Sequence, residues 1–325
     1  MRSSSGVVVL ENVGKTFRMG GTPFQPPRSV DAVREVSLSI DRRESLGLVG
    51  ESGSGKTTVA RIMVGLLEPT RGSVCFEGRD LFSASAGELR MLRRHLQIVF
   101  QDPESALDPR QTVFQALFEV LQVHGLIRSG KGREQIRSLL KMVDIRWEDA
   151  HRYPHQLSGG QCQRVGIARA LALEPSVLVA DEPVSQLDVS TQAQIVSLLA
   201  DLRGRLGLTV VLIAHDLSVV RQVVDRVAVM LGGWIVEMAP TEDLFSRPLH
   251  PYTRTLLEAV PRARPFTGSF ARTASRPLGQ WSAPRSPAAC PFAPRCPDGT
   301  SACAARIPDL APADNPAHLV RCRWQ

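Results

Sequence analysis

The chain has 325 residues, 43% of them hydrophobic and 22% charged, which allows one large domain with a sizeable core, or one domain plus a small appendage. Its formal net charge is +7, yet only four of its 39 basic residues are lysines; that skew fits a GC-rich genome and a solvated surface better than a nucleic-acid or membrane-binding face. No stretch approaches the roughly 18–20 apolar residues of a membrane span, and Met1–Leu10 makes a poor secretory signal, so the chain is expected in the cytosol, meeting any membrane through partners.

Val7–Leu10 and Val36–Ile40 read as strands, joined by a Gly/Pro-rich loop over Met19–Arg28. Ser45–Val49 is a third strand that runs into a Gly-rich turn, and a helix with apolar positions Val59, Ile62, Met63 and Leu66 starts at Thr57. Gln97–Phe100 is another strand. From Pro103 to Pro154 the spacing of Val113, Leu117, Val120 and Leu121, then of Ile136, Leu139, Leu140 and Val143, turns helical and reads as an insertion. Alternation then returns: a helix over Gly160–Leu173, a buried strand Val177–Ala180, a helix Thr191–Arg205, a strand Thr209–Ile213, a helix from Leu217, and strands near Val227–Met230 and Trp234–Glu237. Strands alternating with helices predict an α/β fold with a mostly parallel sheet covered on both faces. Residues 261–289 are rich in Pro, Ser and Arg and read as a linker. Four of the six cysteines follow it, in the last 36 residues.

Gly50-Glu51-Ser52-Gly53-Ser54-Gly55-Lys56-Thr57 matches G-x-x-x-x-G-K-S/T between an apolar strand and a helix, the context that confirms a phosphate loop. Glycines let the backbone wrap a phosphate with its N–H groups inward, and the following helix adds N-terminal positive potential. Lys56 is expected at the β- and γ-phosphates of ATP or GTP, Thr57 on Mg²⁺, and the Thr58 hydroxyl beside the phosphates. Asp181 and Glu182 follow the apolar run Val177–Ala180. A carboxylate pair at the end of a buried strand suits Mg²⁺ coordination by Asp181 and orientation of the attacking water by Glu182.

Leu157-Ser158-Gly159-Gly160-Gln161, followed by Gln163-Arg164 and Ala168-Arg169-Ala170, resembles the signature segment of ABC ATPases. The resemblance implies a P-loop NTPase fold with N-terminal antiparallel strands, a helical subdomain at about 103–158 within an ATPase domain of 1–260, and a head-to-tail dimer. In that dimer ATP lies between the phosphate loop of one subunit and Ser158, Gly159, Gly160 and Gln161 of the other. It further implies that Phe17 stacks on adenine, that Gln101 contacts Mg²⁺ near the membrane partner, that Asp188 crosses the dimer interface, and that His215 touches the γ-phosphate. Gln186 and Cys162 depart from the residues usual in the family, beside functional segments rather than within them.

Phe100-Gln101-Asp102-Pro103, Leu107-Asp108-Pro109-Arg110, Tyr153-Pro154-His155, Leu187-Asp188-Val189-Ser190, Gln192-Ala193-Gln194, His250-Pro251-Tyr252-Thr253 and Cys290-Pro291-Phe292-Ala293-Pro294-Arg295-Cys296-Pro297 resemble, in this order, the oligopeptide/dipeptide importer branch, and within it the second of two ATPases. That implies two transmembrane permease subunits, a second ATPase subunit (the same chain or a paralogue), an extracytoplasmic substrate-binding protein, a place on the cytoplasmic face of the membrane, and no direct nucleic-acid partner. Nickel or another small solute as cargo, and a soluble ABC ATPase acting on nucleic acid, are the alternatives. Cys290, Cys296, Cys303 and Cys322 are separated by five, six and eighteen residues, so four thiolates can meet at one centre if the chain folds back. A 290–325 module is too short for its own core, which makes a metal staple sensible. In this branch the tail resembles a module that in some members carries a 4Fe–4S cluster; a zinc ion or no metal remain alternatives. Cys75 and Cys162 read as plain thiols.

Overall fold

The computed structural model describes residues 6–20, 28–103, 105–215, 217–259 and 288–323. Most of the predicted loop Met19–Arg28 and of the predicted linker 261–289 lies outside the described residues.

Strands β1 (Val8–Met19) and β2 (Arg28–Ile40) pair antiparallel, and β3 (Ser45–Val49) leads through the Gly-rich turn into α1 (Lys56–Met63). Then follow β4 (Arg71–Phe76), β5 (Arg79–Asp80), α2 (Ala86–His95) and β6 (Leu96–Val99). The helical region comprises α3 (Val113–Val123), α4 (Gly132–Met142) and short 3₁₀ turns at Trp147–His151 and Pro154–Gln156. After it come α5 (Gly159–Leu171), β7 (Val177–Asp181), α6 (Val189–Leu206), β8 (Thr209–Ala214), α7 (Leu217–Arg221), β9 (Arg226–Leu231) and β10 (Trp234–Pro240). The chain continues through α8 (Thr241–Ser246) and α9 (Pro251–Glu258), and from residue 288 onward through α10 (Ser301–Ala305), β11 (Ala311–Pro312) and β12 (Leu319–Val320).

Two sheets result. The smaller is antiparallel, in the order β2-β1-β4-β5; the larger runs β11-β12-β10-β9-β3-β8-β7-β6, and β9, β3, β8, β7 and β6 are mutually parallel. Residues of the central strands alternate between two cores. Leu178, Ala180, Val210 and Leu212 face the core shared with α3, α5 and α6, whereas Val177, Val179, Val211 and Ile213 face the one shared with α1 and the antiparallel sheet. A strand buried on both faces must be apolar throughout, which is why the run Val177–Ala180 is legible. Each such Val, Leu or Ile contributes about 1.5–3 kcal/mol by leaving water, and an Asp at Val211 would place an unpaired charge in the centre of this layer.

The sequence reading passed over β4, β5, α2 and the short elements after β10. In β4 only Val74 and Phe76 are buried, so alternation is weak. In α2 only Leu92 is buried; the helix owes its start to a capping box in which Ser85 and Glu88 satisfy each other's backbone N–H groups. β12 is two residues long and exists because β10 offers it an edge, with Glu237 opposite Val320 and Met238 opposite Leu319.

Candidate functional site

The parallel strands end on one edge, and the predicted chemistry collects there. In register, Val49 lies beside Ala214 and Val229, Asp181 beside Ile213, and Val99 beside Ala180. Gly50, His215, Glu182 and Gln101 therefore leave neighbouring strands at the same carboxyl edge, where open α/β sheets bind ligands. His215 and Gln101 are both exposed at this edge.

The loop between β3 and α1 is shaped before any ligand arrives. Gly50, Gly53 and Gly55 have φ of 152°, 79° and 104°, a region side chains avoid. Space also requires glycine: a Cβ on Gly50 would come 2.1 Å from the Met230 carbonyl oxygen, and one on Gly55 2.3 Å from that of Ala32. Gly55 caps α1 without a side-chain hydrogen bond, so the first N–H groups of this helix point into the loop with no hydroxyl or carboxylate cap. Ser52 and Gly53 are exposed on the rim, Ser54 is buried beneath it, and Thr57 and Thr58 are half-buried on the first turn of the helix.

Lys56 is almost fully buried; its Nζ donates to the carbonyls of Gly50 (2.8 Å) and Glu51 (3.0 Å) and lies 3.7 Å from Glu182. Burial depresses its pKa, against the opposing pull of Glu182 and Asp181. The Thr57 hydroxyl donates to Asp181 Oδ1 at 3.0 Å, and burial raises the Asp181 pKa in spite of that bond. Glu182 sits at φ 47°, a conformation costing a non-glycine residue about 1 kcal/mol or more. Its N–H holds the Ile213 carbonyl at 3.1 Å, which ties the turn to the neighbouring strand and keeps the carboxylate facing Lys56.

A second group forms around the start of α5. Ser158 caps this helix, accepting from Gln161 N–H at 3.3 Å while the Gln161 side chain accepts from Ser158 N–H at 3.0 Å. A Cβ on Gly160 would lie 2.5 Å from Thr191 Cγ2, so glycine lets α5 pack against the first turn of α6. Asp188 caps α6, accepting from Thr191 N–H at 2.9 Å and from the Ser190 and Thr191 hydroxyls, and these bonds hold its carboxyl well below the usual range. Phe17 pairs with Val30, two residues from the Ala32 carbonyl that abuts Gly55; its ring is 40% exposed and carries Lys15 Nζ at 5.5 Å. Cys162 is fully buried and Cys75 partly so, and none of the six cysteines is in a disulfide.

The tail docks on the β10 edge of the large sheet. Glu237 is fully buried and accepts from His318 Nε2 (2.7 Å) and from the N–H groups of Leu249 and His250. Arg321 donates to the Ile235 and Pro308 carbonyls, with its guanidinium 4.6 Å from the centre of the Trp234 ring. Burial depresses the His250 pKa to about 4, and its Nδ1 accepts from Tyr252 N–H. Cys290, Cys296, Cys303 and Cys322 line one small cavity together with Phe292 and Arg323. Burial pushes Cys290 up to about 11; Cys303 is buried too, but the Thr300 hydroxyl and N–H and the charge of Arg323 bring it below the ordinary thiol value. Among the described residues, no three His, Cys, Asp or Glu side chains come close enough together to hold one metal ion.

Sequence reasoning missed Glu51, Tyr252 and Arg295, which join the tail to the phosphate loop. Arg295 donates to both carboxylate oxygens of Glu51, at 2.9 and 3.4 Å, and Tyr252 Oη accepts from Glu51 N–H at 2.9 Å. The available signals were an acidic residue inside an anion-binding loop and an arginine inside the Cys290–Cys296 segment.

Residues 33–185 match the ABC transporter family model, and residues 236–303 match the model of the oligopeptide/dipeptide transporter C-terminal region. A putative peptide import ATP-binding protein of Brucella ovis is 48% identical over 88% of this chain and 90% of its own length. The oligopeptide transport ATP-binding protein AppF of Bacillus subtilis is 42% identical over 97% and 96%. Among solved structures, the dimeric ATP-binding cassette MJ0796 bound to ADP and Pi has a TM-score of 0.64 at 33% identity, covering 72% of this chain and 98% of that one. The cbiO1 subunit from Clostridium perfringens also scores 0.64, at 27% identity over 75% and 92%. The chain therefore belongs to the ABC transporter family of ATP-binding subunits and carries the C-terminal region of its oligopeptide/dipeptide branch.

Proposed function

We propose that this chain hydrolyses ATP to drive an importer of peptides. The observation that carries the reading is the geometry of Lys56, Thr57, Asp181 and Glu182 at one sheet edge, beside a helix N-terminus shaped by left-handed glycines. The loop N–H groups and Lys56 hold the β- and γ-phosphates. The Thr57 hydroxyl and Asp181 carboxylate, 3.0 Å apart, are the hard oxygen donors that Mg²⁺ takes, and a buried aspartate with a raised pKa is one that a cation would relieve. Gln101, on the same edge, completes this set; bound Mg²⁺ would supply charge neutralisation at the phosphate oxygens. Glu182 orients a water and takes its proton as the water oxygen bonds to the γ-phosphorus and the bond to ADP breaks, while His215 donates to the γ-phosphate.

The second group completes the site of a partner subunit. Ser158, Gly159, Gly160 and Gln161 present a capped helix start, and Asp188 holds the adjoining turn. The partner is a second copy or a paralogue, and Phe17 provides a platform for adenine. The pair works with two permease subunits and an extracytoplasmic binding protein, at the cytoplasmic face of the membrane. No helix among the described residues is long and apolar enough to cross a membrane; Gln101, exposed at the sheet edge, is the residue proposed to lie near the permease contact. The four tail thiols are candidate ligands of a 4Fe–4S cluster. They line one cavity, and cysteine thiolates are the ligands that such a cluster takes. Visible absorption after anaerobic purification, lost in Cys296→Ser, tests this; colourless, iron-free wild-type protein refutes it.

The deciding experiment on hydrolysis is Glu182→Gln. The variant keeps ATP affinity and loses turnover by about 10²-fold or more, the usual worth of a positioned base. Steady-state hydrolysis near the wild-type rate would remove Glu182 from the role.

A further inference from the structure

Glu51 places a carboxylate inside an anion-binding loop. It occupies the second position of the loop that is to hold a polyphosphate, where a carboxylate repels the ligand. Yet the structure ties it down at three points. Its carboxylate takes the Arg295 fork at 2.9 and 3.4 Å, its N–H donates to Tyr252 Oη at 2.9 Å, and its carbonyl accepts from Lys56 Nζ at 3.0 Å. The Arg295 and Glu51 side chains are only 15% and 23% exposed, so this pair is screened less than a surface ion pair. Arg295 and Tyr252 both pack on Phe292, the arginine 5.3 Å and the tyrosine ring 5.5 Å from its centre. The tail reaches the other limb of the loop as well. A Cβ on Gly232 would lie 2.9 Å from Pro291 Cβ, and the adjoining Gly233 N–H donates to the Ser54 carbonyl at 3.0 Å.

We propose that Arg295 is a positioning residue for ATP: it neutralises Glu51 and turns its carboxylate onto the tail, so that the phosphate loop presents net positive potential to the nucleotide. Tyr252 fixes the Glu51 backbone, which in turn sets the Glu51 carbonyl that Lys56 holds. The seating of the cysteine tail thereby becomes part of the nucleotide site, across 244 residues of sequence. The inference rests on the ATP reading and goes beyond it.

The test is a cycle on the full-length chain, read by equilibrium titration with a fluorescent ATP analogue and by melting temperature. Arg295→Gln, which removes the charge and the guanidinium fork but keeps a polar N–H donor, is expected to weaken binding by about tenfold, because it leaves an uncompensated carboxylate in the loop. Adding Glu51→Gln to Arg295→Gln restores most of the lost affinity, because the repelling carboxylate is then gone. The Arg295→Gln defect also shrinks at high salt, since it is a repulsion between charges. Arg295→Lys, which keeps the charge and loses the fork, stays within about threefold of wild type. Unchanged affinity in Arg295→Gln overturns the proposal. So does a loss that Glu51→Gln fails to restore, because the arginine then acts through packing alone. Wild-type protein that binds no nucleotide would instead sink the ATP reading on which the proposal stands.

Discussion

The phosphate loop and the cysteine tail lie against each other, yet they are built by opposite rules. The loop is local: Lys56 bonds to Gly50 and Glu51, six and five residues away, and its path is set by three glycines with positive φ. The tail is non-local: His318 bonds to Glu237 across 81 residues and Arg321 to Ile235 across 86, while its own strands are two residues long. A local site survives as long as its backbone can take one shape. A docked segment survives as long as its distant partners remain, because its ordering entropy is repaid only on docking.

Breaking the local side has the largest expected effect. Gly50→Ala places a Cβ against the Met230 carbonyl at φ 152°, with no flexible neighbour to yield. It should remove detectable nucleotide binding and cost about 3 kcal/mol or more of stability, measured by ATP-analogue titration and denaturant unfolding. A folded variant with wild-type affinity would show that the loop adapts on binding rather than being formed in advance.

Breaking the non-local side comes next. Glu237→Ala strands the N–H groups of Leu249 and His250 and removes the partner of His318 in a dry site. A cost of about 3 kcal/mol is expected for opening a buried pair of this kind, concentrated in the tail. Limited proteolysis should cut residues 288–323 first, while the parallel strands keep their hydrogen-exchange protection. Uniform loss of protection across both sheets would mean that the tail is not a separable layer.

The same contrast decides what could be read in advance. Lys56, Thr57, Asp181 and Glu182 were legible because each sits in a short motif at the end of a strand whose apolar run announces itself. Ser158 was legible at a helix start, whereas the helix that Asp188 caps was expected only from Thr191; the roles of both came from family resemblance. Arg295 was not, because an ion pair spanning 244 residues leaves no periodic trace. Neither was Glu237, which looks like an ordinary strand residue until β12 and His318 fold over it. α2 was missed although Ser85 and Glu88 spell a capping box, since a helix with one buried residue has almost no apolar stripe to detect. The tail was read as too short for its own core, and its strands do borrow the edge of β10.

Ser158 offers the finest division, because one hydroxyl is given both a local and a distant task. Locally it caps α5, accepting from Gln161 N–H; in the proposed head-to-tail pair it would face the partner's nucleotide. Ser158→Ala removes both and should cost about 1 kcal/mol of stability, a fall of roughly 2 °C in melting temperature for a domain of this size. Ser158→Asn restores an acceptor at the cap, where Asn and Ser are equivalent, and should recover the lost stability. Its bulkier amide cannot reproduce the small hydroxyl at a partner's phosphate, so ATP turnover by the paired subunits should stay low. Recovery of both stability and turnover in Ser158→Asn would reduce the residue to a helix cap and confine the head-to-tail reading to the neighbouring glycines.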